Sequence, residues 1–322
     1  MDGGRGNDTY VFWLASSFET DTVIELAAGG ADTLDFSSFT TGVTVNFTSD
    51  TALATMANRK VVTGAGGQAA NFENVSGGSG NDSVTLQGIS GATSTVFNVH
   101  GNGGTDTLMF TGTSGDETAT LRPGRLDVTG SNYAVHADSV ETVRVYGGGG
   151  TNDRVYLYDS AGNDSFVATP TSSYLTGTGF YNSASGFRSV YAYATAGNAG
   201  GGDRAFLYDS AGNDSFVATP THSYLTGTGF YNDANGFGTV YAYATAGDAG
   251  GVGDRAFLYD SAGNDSFYGR SGYGYLKGLG FYNYVGGFDK VYAYANAGGT
   301  DTLNVRALDY YFSKLGTWEN IL

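Results

Sequence analysis

Short segments of alternating apolar and polar residues run along the whole chain. Typical ones are "DSFVA" at 164–168 and "VYAYA" at 190–194. Alternation with a period of two is typical of β-strands, and the Gly, Asn, Asp and Ser residues between the segments are typical of tight turns. No segment carries apolar residues at the three- and four-residue spacing of a helix. The pattern therefore predicts an all-β protein.

The segments recur in a fixed order. The ten residues "LYDSAGNDSF" occur at 157–166, 207–216 and 258–267, so a unit of about fifty residues is present three times. In the N-terminal half a step of 24 residues separates Asp residues that precede apolar segments, as between Asp8 and Asp32. The full series of such residues is Asp8, Asp32, Asp82, Asp106, Asp153, Asp203, Asp254 and Asp301. Its steps are all close to one or two multiples of 24–25 residues.

A short fixed period with short strands and Gly-rich turns is typical of a β-solenoid, in which successive turns of the chain stack in parallel. We therefore predict a parallel β-solenoid (a β-helix) with about 24–25 residues per turn, and interpret each fifty-residue unit as two turns. The predicted organisation is irregular solenoid turns at 1–150, three repeats at 151–299 and a C-terminal turn or cap at 300–322. A β-sandwich or a β-propeller is the alternative, and the 24-residue step favours the solenoid.

The segment "VYAYA" has two faces, one with Val and Ala and the other with two Tyr. Because successive side chains of a strand point to opposite faces, only one of these sets faces the interior. The interior of a narrow solenoid favours small residues, so we expect the Tyr side chains outside, stacked in rows that form a binding surface. These residues are Tyr191, Tyr193, Tyr241, Tyr243, Tyr292 and Tyr294.

The composition is acidic, with 31 Asp and Glu against 15 Lys and Arg and a formal charge of −16. Binding to nucleic acid or to anionic lipid requires a basic surface, so neither partner is expected. No apolar run reaches the roughly 20 residues of a membrane-spanning helix, so no membrane insertion is expected. The excess of carboxylates instead suits a cationic partner. The lack of Cys excludes disulfides and thiolate metal sites.

Two segments, "GGRGNDTYV" at 3–11 and "GGSGNDSVT" at 77–85, resemble the nonapeptide of the haemolysin-type (RTX-like) calcium-binding repeat family. This resemblance implies that Asp carboxylates and carbonyl groups of the Gly-rich turn bind a structural Ca²⁺. The corner "DSAGND" is a weaker version of the same pattern. The resulting metal-site candidates are Asp8, Asp82, Asp164, Asp214, Asp265, Asp159, Asp209 and Asp260, with carbonyl groups near Gly3 and Gly77.

The spacing of these segments departs from that family. Its members build each site between nonapeptides nine residues apart, whereas the two good matches here are 74 residues apart. The alternative is that the Asn-Asp pairs are corner residues whose side chains cap backbone groups. Calcium binding and backbone capping both remain open at this point.

The Tyr- and Gly-rich repeats resemble repeat regions of large planctomycete-type bacterial surface proteins, which implies an extracellular or cell-surface location. We therefore expect a non-catalytic structural module, such as a stalk, scaffold or adhesin segment. Self-association into fibres, end to end or laterally, and binding of polysaccharide are the expected partner interactions. A calcium-dependent carbohydrate-binding module is one alternative.

A carbohydrate-active β-helix enzyme, similar to a polysaccharide lyase or epimerase, is the other alternative. The chain has three His residues, and no nucleophile elbow, phosphate loop or His-rich metal motif is present. His222 replaces Ser172 within an otherwise repeated segment, and we interpret it as a surface variant. Features that occur three times indicate architecture, since a catalytic site usually occurs once. We therefore expect no enzymatic activity and assign no catalytic residue.

Overall fold

The computed structural model describes residues 1–27, 29–90, 95–197, 202–247 and 253–320. Within these ranges the chain consists of β-strands and turns, with one short 3-10 helix at Gln68–Asn71. The prediction of an all-β protein is therefore confirmed. The sheets are mainly parallel and form no closed barrel, which is consistent with a β-solenoid.

The strands of the first half are β1 Asp2–Gly4, β2 Thr9–Val11, β3 Glu19–Glu25, β4 Thr33–Asp35, β5 Thr44–Asn46, β6 Ala54–Met56, β7 Arg59–Thr63, β8 Asn74–Ser76, β9 Ser83–Gln87, β10 Thr95–His100, β11 Thr107–Thr111, β12 Thr118–Arg122, β13 Arg125–Thr129, β14 Tyr133–Asp138 and β15 Thr142–Tyr146. Those of the second half are β16 Arg154–Tyr158, β17 Ser165–Ala168, β18 Ser172–Gly177, β19 Phe180–Ser185, β20 Ser189–Tyr193, β21 Arg204–Tyr208, β22 Ser215–Ala218, β23 His222–Gly227, β24 Phe230–Asn235, β25 Thr239–Tyr243, β26 Arg255–Tyr259, β27 Ser266–Arg270, β28 Tyr273–Gly278, β29 Phe281–Gly286, β30 Lys290–Ala295, β31 Thr302–Val305, β32 Tyr311–Gly316 and β33 Glu319–Asn320.

The chain forms two compact units, Met1–Asp153 with Gly179–Gly186, and Arg154–Thr178 with Phe187–Leu322. In the first unit, strands β2, β4, β8, β10 and β14 pair in parallel in that order. We call a series of paired neighbouring strands a stack, whether the pairs are parallel or antiparallel, and each strand position in it a level. The predicted 24-residue step is found between β2 and β4, between β8 and β10, and between β9 and β11 of a second stack.

The second stack of this unit contains β5, β9, β11, β15 and β19. Its inward positions form a column of buried apolar residues, among them Val45, Val84, Leu108 and Val143. Antiparallel pairs interrupt the 24-residue step, because β5, β6 and β7 form one meander and β12, β13 and β14 another. Thr107 of β11 therefore lies opposite Thr142 of β15, 35 residues later.

The second unit contains most of the three repeats, and each complete repeat has five strands. In the second copy these are β21, the antiparallel meander β22–β23–β24, and β25. The first reversal of the meander is a turn at Pro220, where the N–H of Thr219 donates to the carbonyl of His222 (2.8 Å). The second reversal contains Gly229 with a φ of 85°. The third copy repeats the arrangement with β26 to β30.

The interpretation of each repeat as two parallel turns is wrong, and the 24–25-residue period does not hold within the repeats. Strand β25, "TVYAY", pairs in parallel with β21 of its own copy, so that Leu207 lies opposite Ala242, 35 residues later. The segment "DSFVA" pairs instead with the next strand in an antiparallel hairpin. The reason lies in the Thr-Pro-Thr and Gly-Thr-Gly segments of the second copy, which reverse the chain within one sheet.

Each copy places its two outer strands in one stack and its meander in the other. The next copy exchanges the two stacks, because each repeat has an odd number of strands. The meander of the second copy belongs to the stack β16, β20, β24, β23, β22, β26, β30 and β32. The meander of the third copy belongs to the stack β21, β25, β29, β28, β27, β31 and β33. The same sequence is therefore presented alternately by one stack and by the other.

Buried side chains fix the registers within the second unit. Phe166, Phe216 and Phe267, one from each "DSF" segment, are fully buried. The buried Asn232 donates through its side-chain amide to the carbonyl of Thr169 (2.9 Å), and Asn283 donates in the same way to Thr219 (3.0 Å). Since a buried amide needs hydrogen-bond partners, these contacts tie the meander of one copy to the turn of the preceding copy.

Two glycines with the same left-handed backbone give a matched test of this packing. Gly287 (φ 82°) follows a meander, and a methyl group there would overlap the carbonyl oxygen of Ala244 one level away. Gly280 (φ 83°) lies at a hairpin turn with nothing near the same position. We expect Gly280→Ala to cost about 1–2 kcal/mol of unfolding free energy, from the backbone alone. Gly287→Ala should cost clearly more.

Urea unfolding of both variants, followed by circular dichroism, measures this difference. Equal losses of stability in the two variants would contradict the close approach of neighbouring levels at Gly287.

Candidate metal centres at the acidic corners

The corner "DSAGND" of each repeat is closed by its own last carboxylate. In the second copy, Asp214 accepts hydrogen bonds from the N–H of Ser210 (2.8 Å) and from its hydroxyl group (2.9 Å). Asp164 with Ser160, and Asp265 with Ser261, make the same contacts. The motif therefore first builds a tight turn, as the capping interpretation predicts.

A second carboxylate enters the corner from the preceding strand. Asp209, the last residue of "FLYD", accepts hydrogen bonds from the N–H groups of Thr245 (2.9 Å) and Ala246 (3.1 Å), which follow the next strand in the stack. A third comes from the following copy, because Asp254 Oδ1 accepts the N–H of Asp214 (2.7 Å). All three carboxylates are buried.

The same three-carboxylate group is present in every repeat. In each, one oxygen atom of each acid lies within 4.8 Å of the others. The groups are Asp159, Asp164 and Asp203; Asp209, Asp214 and Asp254; and Asp260, Asp265 and Asp301. Such buried clusters can hold a metal ion, since carboxylate oxygens have lone pairs beyond those that accept N–H groups. Burial raises the pKa of Asp164 and of Asp301, which indicates the cost of keeping these groups charged without a cation.

A fourth group lies near the N-terminus and contains Asp8, Glu25 and Asp32. Asp32 Oδ1 accepts the N–H of Asp8 (2.8 Å), and Glu25 Oε1 accepts the hydroxyl of Tyr10 (2.6 Å). The second oxygens of Asp8 and Asp32 are buried and have no hydrogen-bond partner within the described residues. Burial raises the pKa of Glu25. A divalent cation here would satisfy oxygens that the protein leaves unpaired.

Gly3 lies against this fourth group. A methyl group at Gly3 would overlap Glu25 Oε1 and lie 2.9 Å from Asp8 Oδ2. The position thus requires glycine because the carboxylates approach its backbone closely.

Asp82, in the other good match to the nonapeptide, is placed differently. Its Oδ1 accepts the N–H of Val43 (2.7 Å) and its Oδ2 accepts that of Gly78 (2.7 Å). Gly77 packs against the same carboxylate. Asp82 belongs to none of the three-acid groups found among the described residues. The structure therefore brings the acids of each repeat corner together in a cluster. Asp82 instead caps the backbone of a turn.

Sequence reasoning missed the third member of each cluster. The sequence pattern marks Asp32, Asp203, Asp254 and Asp301 as members of the period without assigning them as ligands, and it gives no sign of Glu25. The regular spacing of these Asp residues in the sequence was a usable signal, because acids one level apart in a stack must meet at the same corner. Only the strand pairing shows which acid meets which.

The expected Tyr surface has the predicted orientation. Tyr191, Tyr193 and their equivalents in the other copies are half-buried, while the Val and Ala between them are buried. Each Tyr stacks on an aromatic residue of the preceding strand in its stack, with ring centroids 4.4–5.2 Å apart and interplanar angles of 7–18°. The pairs are Tyr156–Tyr191, Tyr158–Tyr193, Phe206–Tyr241, Tyr208–Tyr243, Phe257–Tyr292 and Tyr259–Tyr294. The ring faces of these pairs therefore cover one another.

His222 is not an isolated surface residue. Its Nε2 lies 2.7 Å from Asp233 Oδ2, which also accepts the hydroxyl of Tyr231 (2.8 Å). The side chain of Asn235 bonds to the other oxygen of Asp233. Ser172, Ser183 and Ser185 stand at the corresponding positions of the first copy, so three of the differences between two nearly identical repeats form one hydrogen-bonded cluster.

The sequence matches no protein-family model, and a comparison with curated proteins gives no similar one. Among the described residues, no helix has the length and apolar character needed to cross a membrane.

The effect of burial on the corner acids can be tested through the pH dependence of stability, with Asp153 as the example. Burial raises its pKa from 3.8 to about 6, and its Oδ1 accepts the N–H of Glu117 (2.7 Å). A carboxyl whose pKa is raised by folding stabilises the protein fully below its unfolded pKa, and this stability is lost as the pH rises through 6. Asp153→Asn keeps the acceptor and removes the ionisation. Between pH 4 and 7 the wild type should therefore lose about 2 kcal/mol more unfolding free energy than Asp153→Asn.

Urea unfolding across this pH range, in the presence of a chelator, measures the effect. Asp50→Asn is the control of opposite sign, because N–H groups of Gly67 and Ala69 lower the pKa of Asp50. Asp50 therefore stabilises the protein at neutral pH and loses this contribution as the pH falls. Parallel pH profiles for wild type and Asp153→Asn would contradict the assignment.

Proposed function

We propose that this chain is a non-catalytic β-solenoid module of an extracellular or cell-surface protein, acting as a stalk, scaffold or adhesin segment. The observation that supports the proposal is the repetition of one corner. The same turn, with three buried carboxylates and the same hydrogen bonds, recurs in all three repeats. Repetition of this kind serves the stacking of levels, whereas a catalytic site would occur once.

Structural Ca²⁺ at these corners is part of the proposal. Ca²⁺ takes six to eight oxygen ligands and tolerates irregular geometry, and three clustered carboxylates offer oxygen donors of this type. The number of clustered carboxylates favours Ca²⁺ over Mg²⁺, which keeps several waters and usually binds only one or two carboxylates. A cation would also offset the repulsion between acids that folding brings together. The protein would thus be most stable in calcium-containing surroundings.

Calcium should therefore raise the unfolding temperature, because an ion that binds only the folded state stabilises it. The gain is about 2.7 kcal/mol for each site when Ca²⁺ is ~100-fold above Kd, and extracellular sites have Kd values of about 10⁻⁴–10⁻³ M. Thermal melts with Ca²⁺, with Mg²⁺ and with EDTA measure this shift. An unchanged midpoint would exclude the calcium part and leave the structural role untouched.

Two Asn variants locate the site. Asp254 Oδ1 and Asp106 Oδ1 each accept one backbone N–H, from Asp214 and from Asp82 respectively (2.7 Å in both). Only Asp254 belongs to a three-acid group. Asp254→Asn should reduce the calcium-induced shift, and Asp106→Asn should leave it unchanged. Equal effects of the two variants would argue against a specific site.

Self-association, end to end or laterally, is the proposed partner interaction, and a fibre is its expected product. Sedimentation velocity over a range of protein concentrations measures it, in Ca²⁺ and in EDTA. We expect larger species to appear as the concentration rises. A single monomeric species at all concentrations would count against assembly without affecting the proposed calcium sites.

A further inference from the structure

Tyrosine pairs lie in unusually regular contact on the outer side of the second unit. Parallel in-register pairing places equal positions of neighbouring strands about 4.8 Å apart. Tyr259 of β26 and Tyr294 of β30 are such partners, with ring centroids 4.4 Å apart and planes inclined by 10°. Tyr158–Tyr193 and Tyr208–Tyr243 stack in the same way at 5.0 and 5.2 Å.

These pairs are accessible from solvent. Tyr259 is 36% exposed, and Tyr294 is half-buried beside it. Burial, followed by the neighbouring Tyr259, raises the pKa of Tyr294, so its phenol is protonated at neutral pH. The chain contains 24 Tyr and no Cys, so covalent cross-links between its side chains cannot be disulfides.

We propose that the stacked tyrosine pairs are sites of oxidative dityrosine cross-linking, with Tyr259–Tyr294 as the foremost pair. A one-electron oxidant removes an electron and the phenolic proton from each ring. The two tyrosyl radicals join through a carbon–carbon bond between their ortho carbons, and the hydrogen on each of these carbons moves to oxygen as the rings regain aromaticity. Two electrons and two protons are released in total. With hydrogen peroxide and a haem peroxidase as oxidant, they leave as two water molecules.

The bond would tie two levels of one stack together. Residues 259 and 294 belong to the two outer strands of the third repeat, so the cross-link closes the loop that contains its whole meander. A covalent tie of this kind restricts the unfolded chain, as a disulfide does. The cross-linked protein should therefore unfold at a higher urea concentration than the unoxidised protein.

The repeats contain their own control. On the same two strands, Phe257 stacks on Tyr292 at 5.0 Å with planes inclined by 9°. Both pairs are stacked almost parallel, with centroids 5.0 Å apart here and 4.4 Å apart in Tyr259–Tyr294, yet a phenylalanine ring has no phenol to oxidise. Coupling should therefore occur at one pair and not at the other, although both are stacked. Phe206–Tyr241 provides the same comparison in the second copy.

Mild oxidation of the folded protein with peroxidase and hydrogen peroxide, followed by trypsin digestion and mass spectrometry, tests the proposal. Photo-oxidised ruthenium tris-bipyridyl serves as a second, small oxidant that reaches half-buried rings. Cleavage after Arg255, Arg270, Lys290 and Arg306 places the two tyrosines in separate peptides, 256–270 and 291–306. We expect these peptides joined, with the loss of one hydrogen atom from each. Unfolding in urea before oxidation should remove this product.

Three variants make the result specific. Tyr259→Phe should abolish the joined peptide, and Tyr268→Phe, in the same tryptic peptide, should leave it. Phe257→Tyr should add a second link, to Tyr292. Oxidation of a mixture of isotopically light and heavy protein separates bonds within a molecule from bonds between molecules. The proposal is overturned if the joined peptide is absent from oxidised wild type, survives Tyr259→Phe, or forms only between molecules.

Discussion

Each acidic corner depends on a hydrogen bond from the backbone N–H of one acid to the carboxylate of the acid one level further along. Asp8 donates to Asp32, Asp82 to Asp106 and Asp214 to Asp254 in this way, at 2.7–2.8 Å. Strand pairing ends at a corner, and a buried N–H there still needs an acceptor. The carboxylate provides it and so joins each level to the next.

The same interaction creates the chemistry of the corners. A carboxylate that accepts an N–H group from a neighbouring level is buried. The acids next to it in the stack are carboxylates that accept N–H groups in the same way. Burial consequently raises the pKa of Asp106 and of Asp153 to about 6, and that of Glu73 to about 7. Either a proton or a cation can relieve this repulsion. The capacity of the corners to hold a cation is therefore a consequence of how the levels are joined.

Charge is divided between the corners and the strands of the second unit. Within its described strands, Asp233 and Glu319 are the acids, while Arg154, Arg204 and Arg255 occupy the first position of a strand in each copy. The remaining acids of this unit that the structure describes lie in corners and turns. The negative charge of this unit therefore lies mainly in its corners, and its strand faces present stacked aromatic rings with scattered cations.

The sequence by itself determined the strand class, the repeat and the positions of the corners. Alternation in "VYAYA" left two orientations, and the preference of a narrow interior for small residues favoured the one with the tyrosines outside. The identity of the corner acids Asp164, Asp214 and Asp265 was also readable, because the motif is repeated letter for letter.

Only the tertiary structure decided which segments stack and which acids meet. A step of fifty residues fits two parallel turns as well as one strand, a meander and another strand, because periodicity carries no information about chain direction. The hairpin turns at Pro220 and Gly229 selected the second arrangement. That choice brought Asp254 to Asp214, since side chains distant in sequence meet only where strand register places them.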